Sequence, residues 1–256
     1  MTGAALNLTR GALLLCLVST SMTARAADLV GTIARVKPSI VGIGSYMAVR
    51  RPPARLYGTG FVIGEGNLAA TNFHVIDQDL DAGKKEEIVI FVGVGRKVEY
   101  RKADILARDE RHDLALLRFG GHPLPALELG SGPTAPEGTA IAFTGFPIGA
   151  VLGLHPVTHQ GIVSALTPIV IPAHNARELT VDKIATLRDP FEVLQLDATA
   201  YPGNSGSPVY RVADGTVVGI INQVFVKGKK EDVLRDPSAI TYAIPVRYLR
   251  ALLDGT

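Results

Sequence analysis

The segment Tyr201-Pro202-Gly203-Asn204-Ser205-Gly206-Ser207-Pro208 follows an apolar run ending in Asp197 and sets a serine between two glycines. A tight, glycine-rich turn of this kind can hold a serine hydroxyl exposed and aim neighbouring backbone N–H groups at one point in space. That is the geometry an acyl-transfer nucleophile and its oxyanion hole require. A serine hydroxyl alone is a weak nucleophile, so the reading demands a histidine base and an orienting carboxylate elsewhere in the chain.

Both are found upstream. His74 lies in Leu68-Ala69-Ala70-Thr71-Asn72-Phe73-His74-Val75-Ile76, which reads as a strand end that turns at Thr71-Asn72 with His74 at the turn. Asp113 opens Asp113-Leu114-Ala115-Leu116-Leu117-Arg118-Phe119, an acid followed by a short apolar strand. A carboxylate at a strand start stays ionised if it accepts hydrogen bonds, and it can then fix one tautomer of an imidazole. Alone, each is weak evidence, because an Asp before a strand, a packed His and a Gly-Ser turn all have ordinary structural uses. Their order (His74, Asp113, Ser205) and local contexts make the set specific. Gly203 and Ser205 would supply the oxyanion-hole N–H groups, and a glycine at 203 tolerates the backbone angles such a nest needs.

Around these residues, short apolar runs rich in Val and Ile recur between Gly, Pro, Asp and Asn. Ser39–Ser45, Gly58–Ile63, Glu87–Val92, Ala140–Gly145 and Val217–Gln223 are examples. The pattern reads as an all-β barrel or sandwich. Only the C-terminus reads as helical, with Val246, Leu249, Leu252 and Leu253 at helical spacing behind Pro245. Gly120-Gly121-His122-Pro123-Leu124-Pro125 reads as a linker near the middle.

The contexts of His74, Asp113 and Ser205 resemble the trypsin-like serine proteases, most closely the HtrA/Deg branch. Gly58-Thr59-Gly60-Phe61-Val62-Ile63, Gly145-Phe146-Pro147-Ile148-Gly149, Gln160–Leu166, Leu194–Ala198 and Ile240–Pro245 are similar to segments of that branch. The resemblance covers about residues 30 to 250. It implies an all-β fold of two packed six-stranded β-barrels with a short C-terminal helix. Residues 27–122 would form the first barrel and 123–256 the second with its helix, the triad lying in the cleft between them. It implies a serine endopeptidase acting on polypeptides, with unfolded or damaged proteins as the substrate class. The resembled fold also implies a primary specificity pocket at Thr199, Ile221 and Val224. None of these is charged, so small or medium aliphatic side chains are expected there. Asn204 stands where digestive relatives use an Asp to pair with a new N-terminal ammonium, so no zymogen-type activation is expected. HtrA relatives usually carry PDZ domains after the helix and are often trimers. No PDZ domain is expected after the helix here, and the resemblance leaves a homo-oligomer open, with no diagnostic aromatic cluster at the expected mature N-terminus. Thr167–Glu192 is the part least like the family.

Composition bounds the setting. Residues 1–26 read as a secretory signal peptide: Arg10, an apolar core from Gly11 to Val18, and the cleavage site Ala24-Arg25-Ala26. The expected location is therefore outside the cytoplasm, in a bacterial periplasm or secreted. The apolar core is too short to span a bilayer, so no stable membrane insertion is expected. Cys16, the only cysteine, lies in this leader, so no disulfide is expected in the rest. A chain that is 47% hydrophobic can bury the core such a domain needs. The 26 Lys and Arg against 24 Asp and Glu become balanced once Arg10 and Arg25 leave, and nothing points to nucleic acid. Lys227-Gly228-Lys229-Lys230 reads as a solvated hairpin tip.

His112 reads as a bystander on a strand, facing away from Asp113. His155 and His159 fall in an expected strand with no carboxylate or cysteine cluster, so no metal site is expected. His122 and His174 read as loop residues, and no cofactor is implied. Two alternatives stand beside the endopeptidase: a catalytically latent, protease-fold binding or scaffold module, and an esterase. The esterase fits less well, because Ser207 replaces the second Gly of the hydrolase elbow and the order Ser…Asp…His is absent.

Overall fold

The computed structural model describes residues 28–95, 97–147, 154–169, 190–222 and 240–256. The leader with Cys16, the residues Ile148, Gly149, His174 and Val224, the Lys227–Lys230 run and most of the Thr167–Glu192 segment lie outside them. The first six strands are β1 (Ile40–Tyr46), β2 (Ala54–Ile63), β3 (Leu68–Thr71), β4 (Glu87–Val94), β5 (Lys97–Asp109) and β6 (Leu114–Phe119). They close into an antiparallel barrel in the order β1-β2-β3-β6-β5-β4. The next six are β7 (Ala140–Gly145), β8 (Val157–Pro168), β9 (Glu192–Asp197), β10 (Pro208–Arg211), β11 (Val217–Asn222) and β12 (Ile240–Pro245). They close into a second barrel in the order β10-β11-β12-β9-β8-β7. Closure leaves neither barrel a free sheet edge.

Why strands such as β6 are almost wholly apolar becomes clear from where their two faces go. Ala115 and Leu117 point into the first barrel with Val41, Ile43 and Val62. Leu114 and Leu116 join Ile40, Phe61, Tyr210, Val217, Ile220 and Leu249 in a core shared by both barrels. Alternation (period two) is present, but both faces are dry. Each fully buried leucine here contributes about 1.5–3 kcal/mol of transfer free energy. The interior of the second barrel is a separate cluster around Phe143, Leu194, Val209 and Ile221.

Among the described residues, three α-helices accompany the barrels. The C-terminal one, α3 (Val246–Asp254), buries Val246 and Leu249 against the shared core, as its spacing predicts. The reading that only the C-terminus is helical is corrected by α1 (Leu29–Val36) and by the single turn α2 (Phe73–Ile76). Asp28 caps α1 by accepting from the Gly31 N–H at 3.1 Å, a signature that stands in the sequence. Thr32 then anchors α1 to the second barrel by donating its hydroxyl to the Val212 carbonyl at 3.0 Å. His155 also departs from its expected strand and precedes β8, whereas His159 lies within it.

Candidate active site

β3 pairs with β6, Thr71 standing opposite Ala115. The chain leaving β3 and the chain entering β6 are therefore held side by side. The first forms α2 with His74 on it; the second carries Asp113 at φ +52°, in the left-handed region. Asp113 sits in the turn before β6 rather than on the strand, and Asp is among the few side chains that tolerate this conformation.

The Asp113 carboxylate meets three donors. Oδ1 accepts the His74 backbone N–H at 2.8 Å, and Oδ2 lies 2.6 Å from His74 Nδ1. Asn222 Nδ2 donates to Oδ2 at 2.6 Å, reaching across from β11 of the second barrel. Asn72 Nδ2 donates to the Asp113 carbonyl at 3.0 Å. A carboxylate gripping Nδ1 keeps the proton there and leaves Nε2 with its lone pair, the tautomer a general base needs. Asn222 is the contributor that sequence reading missed. It follows Ile221 on β11, so it points to the face opposite the barrel interior; only the packing of the two barrels puts Asp113 there.

The serine turn belongs to the second barrel. Asn204 N–H donates to the Tyr201 carbonyl at 2.9 Å, closing a four-residue turn with Pro202 second and Gly203 third. Gly203 has φ +102°, as the third residue of a type II turn requires. Among the described residues, neither the Gly203 N–H nor the Ser205 N–H finds an acceptor. Two unpaired donors thus flank a serine that is only 6% exposed. The turn is fastened on both sides of Ser205. Gly206 N–H donates to the Ile221 carbonyl at 3.0 Å, and Ile221 N–H to the Ser207 carbonyl at 2.9 Å. Gly206, at φ +85°, passes so close to the first barrel that a Cβ would stand 2.0 Å from the Thr59 carbonyl oxygen.

The two halves meet at β2. A Cβ on Gly58 would lie 2.8 Å from the Val75 side chain of α2 and 3.0 Å from the Ser205 carbonyl. His74 and Ser205 therefore flank the same strand, but no hydrogen bond joins His74 Nε2 to Ser205 Oγ. Catalytic hydrogen bonds of unliganded enzymes often close only around substrate. Asn204 is fully buried and, among the described residues, neither of its amide atoms nor the buried Ser207 hydroxyl finds a partner.

Of the expected pocket residues, Thr199 is half-buried and Ile221 is fully buried in the second-barrel cluster. His112 is not on a strand facing away from Asp113. It lies in the same turn, its Nδ1 2.6 Å from Asp109 Oδ2, and stacks on Tyr248 of α3 at 4.1 Å between ring centroids. It ties the Asp113 turn to the second barrel instead of facing His74. His159 stacks on Phe143 and lies against Tyr201, the first residue of the serine turn. Burial pushes its imidazole below the usual range, and Nε2 has no partner. Among the described residues no group of His, Asp, Glu or Cys has the arrangement of a metal site.

Comparison with known proteins places the chain among peptidases. A family model described as "Trypsin-like peptidase domain" matches residues 58–220. A probable periplasmic serine endoprotease, DegP-like, of Halomonas elongata is 33% identical over 173 residues, covering 68% of this chain and 30% of the relative. A protein of the same description from Pseudomonas fluorescens is 35% identical over 178 residues, covering 70% and 31%. The chain thus spans less than a third of the length of these curated relatives. Among solved structures, an HtrA-type protease with a tripeptide aligns at a TM-score of 0.62 with 21% identity, covering 89% of this chain and 62% of that one. A serine endoprotease from Yersinia pestis aligns at 0.61 with 20% identity, covering 90% and 66%.

Proposed function

The chain belongs to the trypsin-like peptidase family, with its relatives on the HtrA branch, and from that premise we propose that it is an exported serine endopeptidase working through an acyl-enzyme. The observation that carries this is the Asp113 carboxylate, which holds His74 by Nδ1 and by its backbone N–H at once. Asp109 grips His112 in the same double fashion; what sets Asp113 apart is that its histidine lies on the helical turn packed against β2, where Ser205 and its N–H donors also sit.

His74 Nε2 removes the Ser205 hydroxyl proton as Oγ attacks the peptide carbonyl carbon. The negative charge on the carbonyl oxygen is met by the N–H groups of Gly203 and Ser205, each such donor being worth about 3 kcal/mol in the transition state. The imidazolium, stabilised by Asp113, protonates the leaving amine. Water, deprotonated by the same imidazole, then releases the acid from Ser205. The pocket assigned to Thr199, Ile221 and Val224 carries no charge, which suits small or aliphatic side chains before the scissile bond. Unfolded or damaged envelope proteins are the substrate class that fits, with a homo-oligomer as the assembly to look for.

The missing hydrogen bond between His74 and Ser205 favours one second reading, a latent site or binding module that substrate does not switch on. A fluorophosphonate probe separates the two. Labelling of the folded wild type but not of Ser205→Ala, followed by cleavage of casein, supports the endopeptidase. Folded protein that stays unlabelled even with unfolded substrate present sinks it.

A further inference from the structure

We propose that Thr59, on the first barrel, is the positioning residue that sets the oxyanion turn on the second. The inference rests on the endopeptidase reading and names a residue that reading does not require. Thr59 is fully buried in the middle of β2. The β2–β3 ladder runs only from Ile63–Leu68 to Phe61–Ala70, so the edge of β2 at Thr59 is open to other partners. The serine turn takes it. Thr59 N–H donates to the Ser205 carbonyl at 2.9 Å. Its hydroxyl donates to the Gly203 carbonyl at 2.8 Å and accepts the Phe146 N–H at 3.0 Å. Its own carbonyl accepts the Thr71 hydroxyl at 2.7 Å, from the strand that leads to His74.

Three peptide planes connect Gly203 to Gly206. Thr59 holds the carbonyls of the first and the last, and the middle plane carries the Ser205 N–H. The Thr59 hydroxyl and N–H together tie the turn that carries the oxyanion donors to the barrel with the acid–base pair, and the hydroxyl's single proton is spent on Gly203. Valine has nearly the same shape but would leave the half-buried Gly203 carbonyl and the buried Phe146 N–H unpaired.

The test compares Thr59→Val and Thr59→Ser with wild type in peptide hydrolysis, fluorophosphonate labelling and amide hydrogen exchange over residues 201–207. The expected result for Val is a fall of about 10- to 100-fold in kcat and in labelling rate, from the loss of buried hydrogen bonds. KM should move by less than about threefold, amide exchange in the turn should quicken, and Ser should restore all three. A Thr59→Val enzyme with wild-type kcat and wild-type exchange overturns the proposal, as does a fall that Ser does not restore. If Val does not fold, Thr59→Ala against Thr59→Ser makes the same comparison. If the wild type neither labels nor cleaves, the endopeptidase reading has failed, and the exchange rates alone decide whether Thr59 holds the turn.

Discussion

The Asp113–His74 pair and the Ser205 turn are built on different principles. Around Asp113 the carboxylate takes His74 N–H, His74 Nδ1 and Asn222 Nδ2, and its carbonyl takes Asn72. Around Ser205 the side chains of Asn204 and Ser207 are buried without partners, and the turn is held by backbone contacts to Ile221 and by Thr59. Each buried unpaired group costs about 1–3 kcal/mol. The acid–base half bears one such atom, Asn72 Oδ1, against the three of Asn204 and Ser207, so it is stabilised mainly where it stands, whereas the nucleophile half is held in place by its neighbours at a larger local cost. Loss of one neighbour should therefore disturb the turn before it disturbs the pair.

The largest effect should come from Asp113→Asn, which keeps the shape of the pair and removes the charge that fixes the tautomer. A fall of about 10⁴-fold in kcat is expected from the role of such an aspartate; a loss under about tenfold would break the assignment. Gly206→Ala tests the other half. Its Cβ would meet the Thr59 carbonyl at 2.0 Å, and a destabilisation of about 2–4 kcal/mol is expected in urea unfolding. An unchanged midpoint would mean that the turn has room to move. Asn222→Leu removes one donor from Asp113 and should lower kcat by about 10- to 100-fold, as hydrogen bonds to charged groups do. Equal activity would show that His74 alone suffices to hold the carboxylate.

The smallest effect is in pH, and it separates the barrels. Burial lowers the pKa of His159, in the second barrel, from 6.5. The unfolded chain then binds more protons, so this contribution to stability is complete above pH 6.5 and declines as pH falls below it. His159→Phe should flatten the loss of Tm between pH 7 and 5 in calorimetry. In the first barrel, Glu86 is lowered to about 2, chiefly by the Ser45 hydroxyl with help from the Asp81 N–H and Arg50. Its contribution is complete above pH 4.5 and fades toward pH 2. Glu86→Gln should therefore lower Tm evenly above pH 4.5 and flatten the acid limb below it; a change of slope near pH 6 would contradict the division.

The barrel strands were legible because Val- and Ile-rich runs between turn residues leave little alternative. Ala140–Gly145 is bounded as expected, and Glu87–Val92 falls two residues short of β4. The serine turn was legible from Pro202, Gly203 and Gly206, whose backbone demands are local. Helix α1 is marked in the sequence by Asp28 and by the spacing of Leu29, Ile33 and Val36, but at eight residues it is too short for periodicity alone to separate it from the strand-rich pattern that follows.

Local chemistry is what the sequence by itself determined: where strands run, where the chain turns, and which residue types could form an acid–base pair and a nucleophile. Which atoms meet across the barrels was decided by the tertiary structure alone. Asn222 and Thr59 read in sequence as ordinary members of apolar strands. They became partners of Asp113 and Gly203 because closure and packing of two barrels bring together residues 109 and 144 positions apart. Contacts over such separations follow from how whole sheets bury their faces, and no local pattern encodes them.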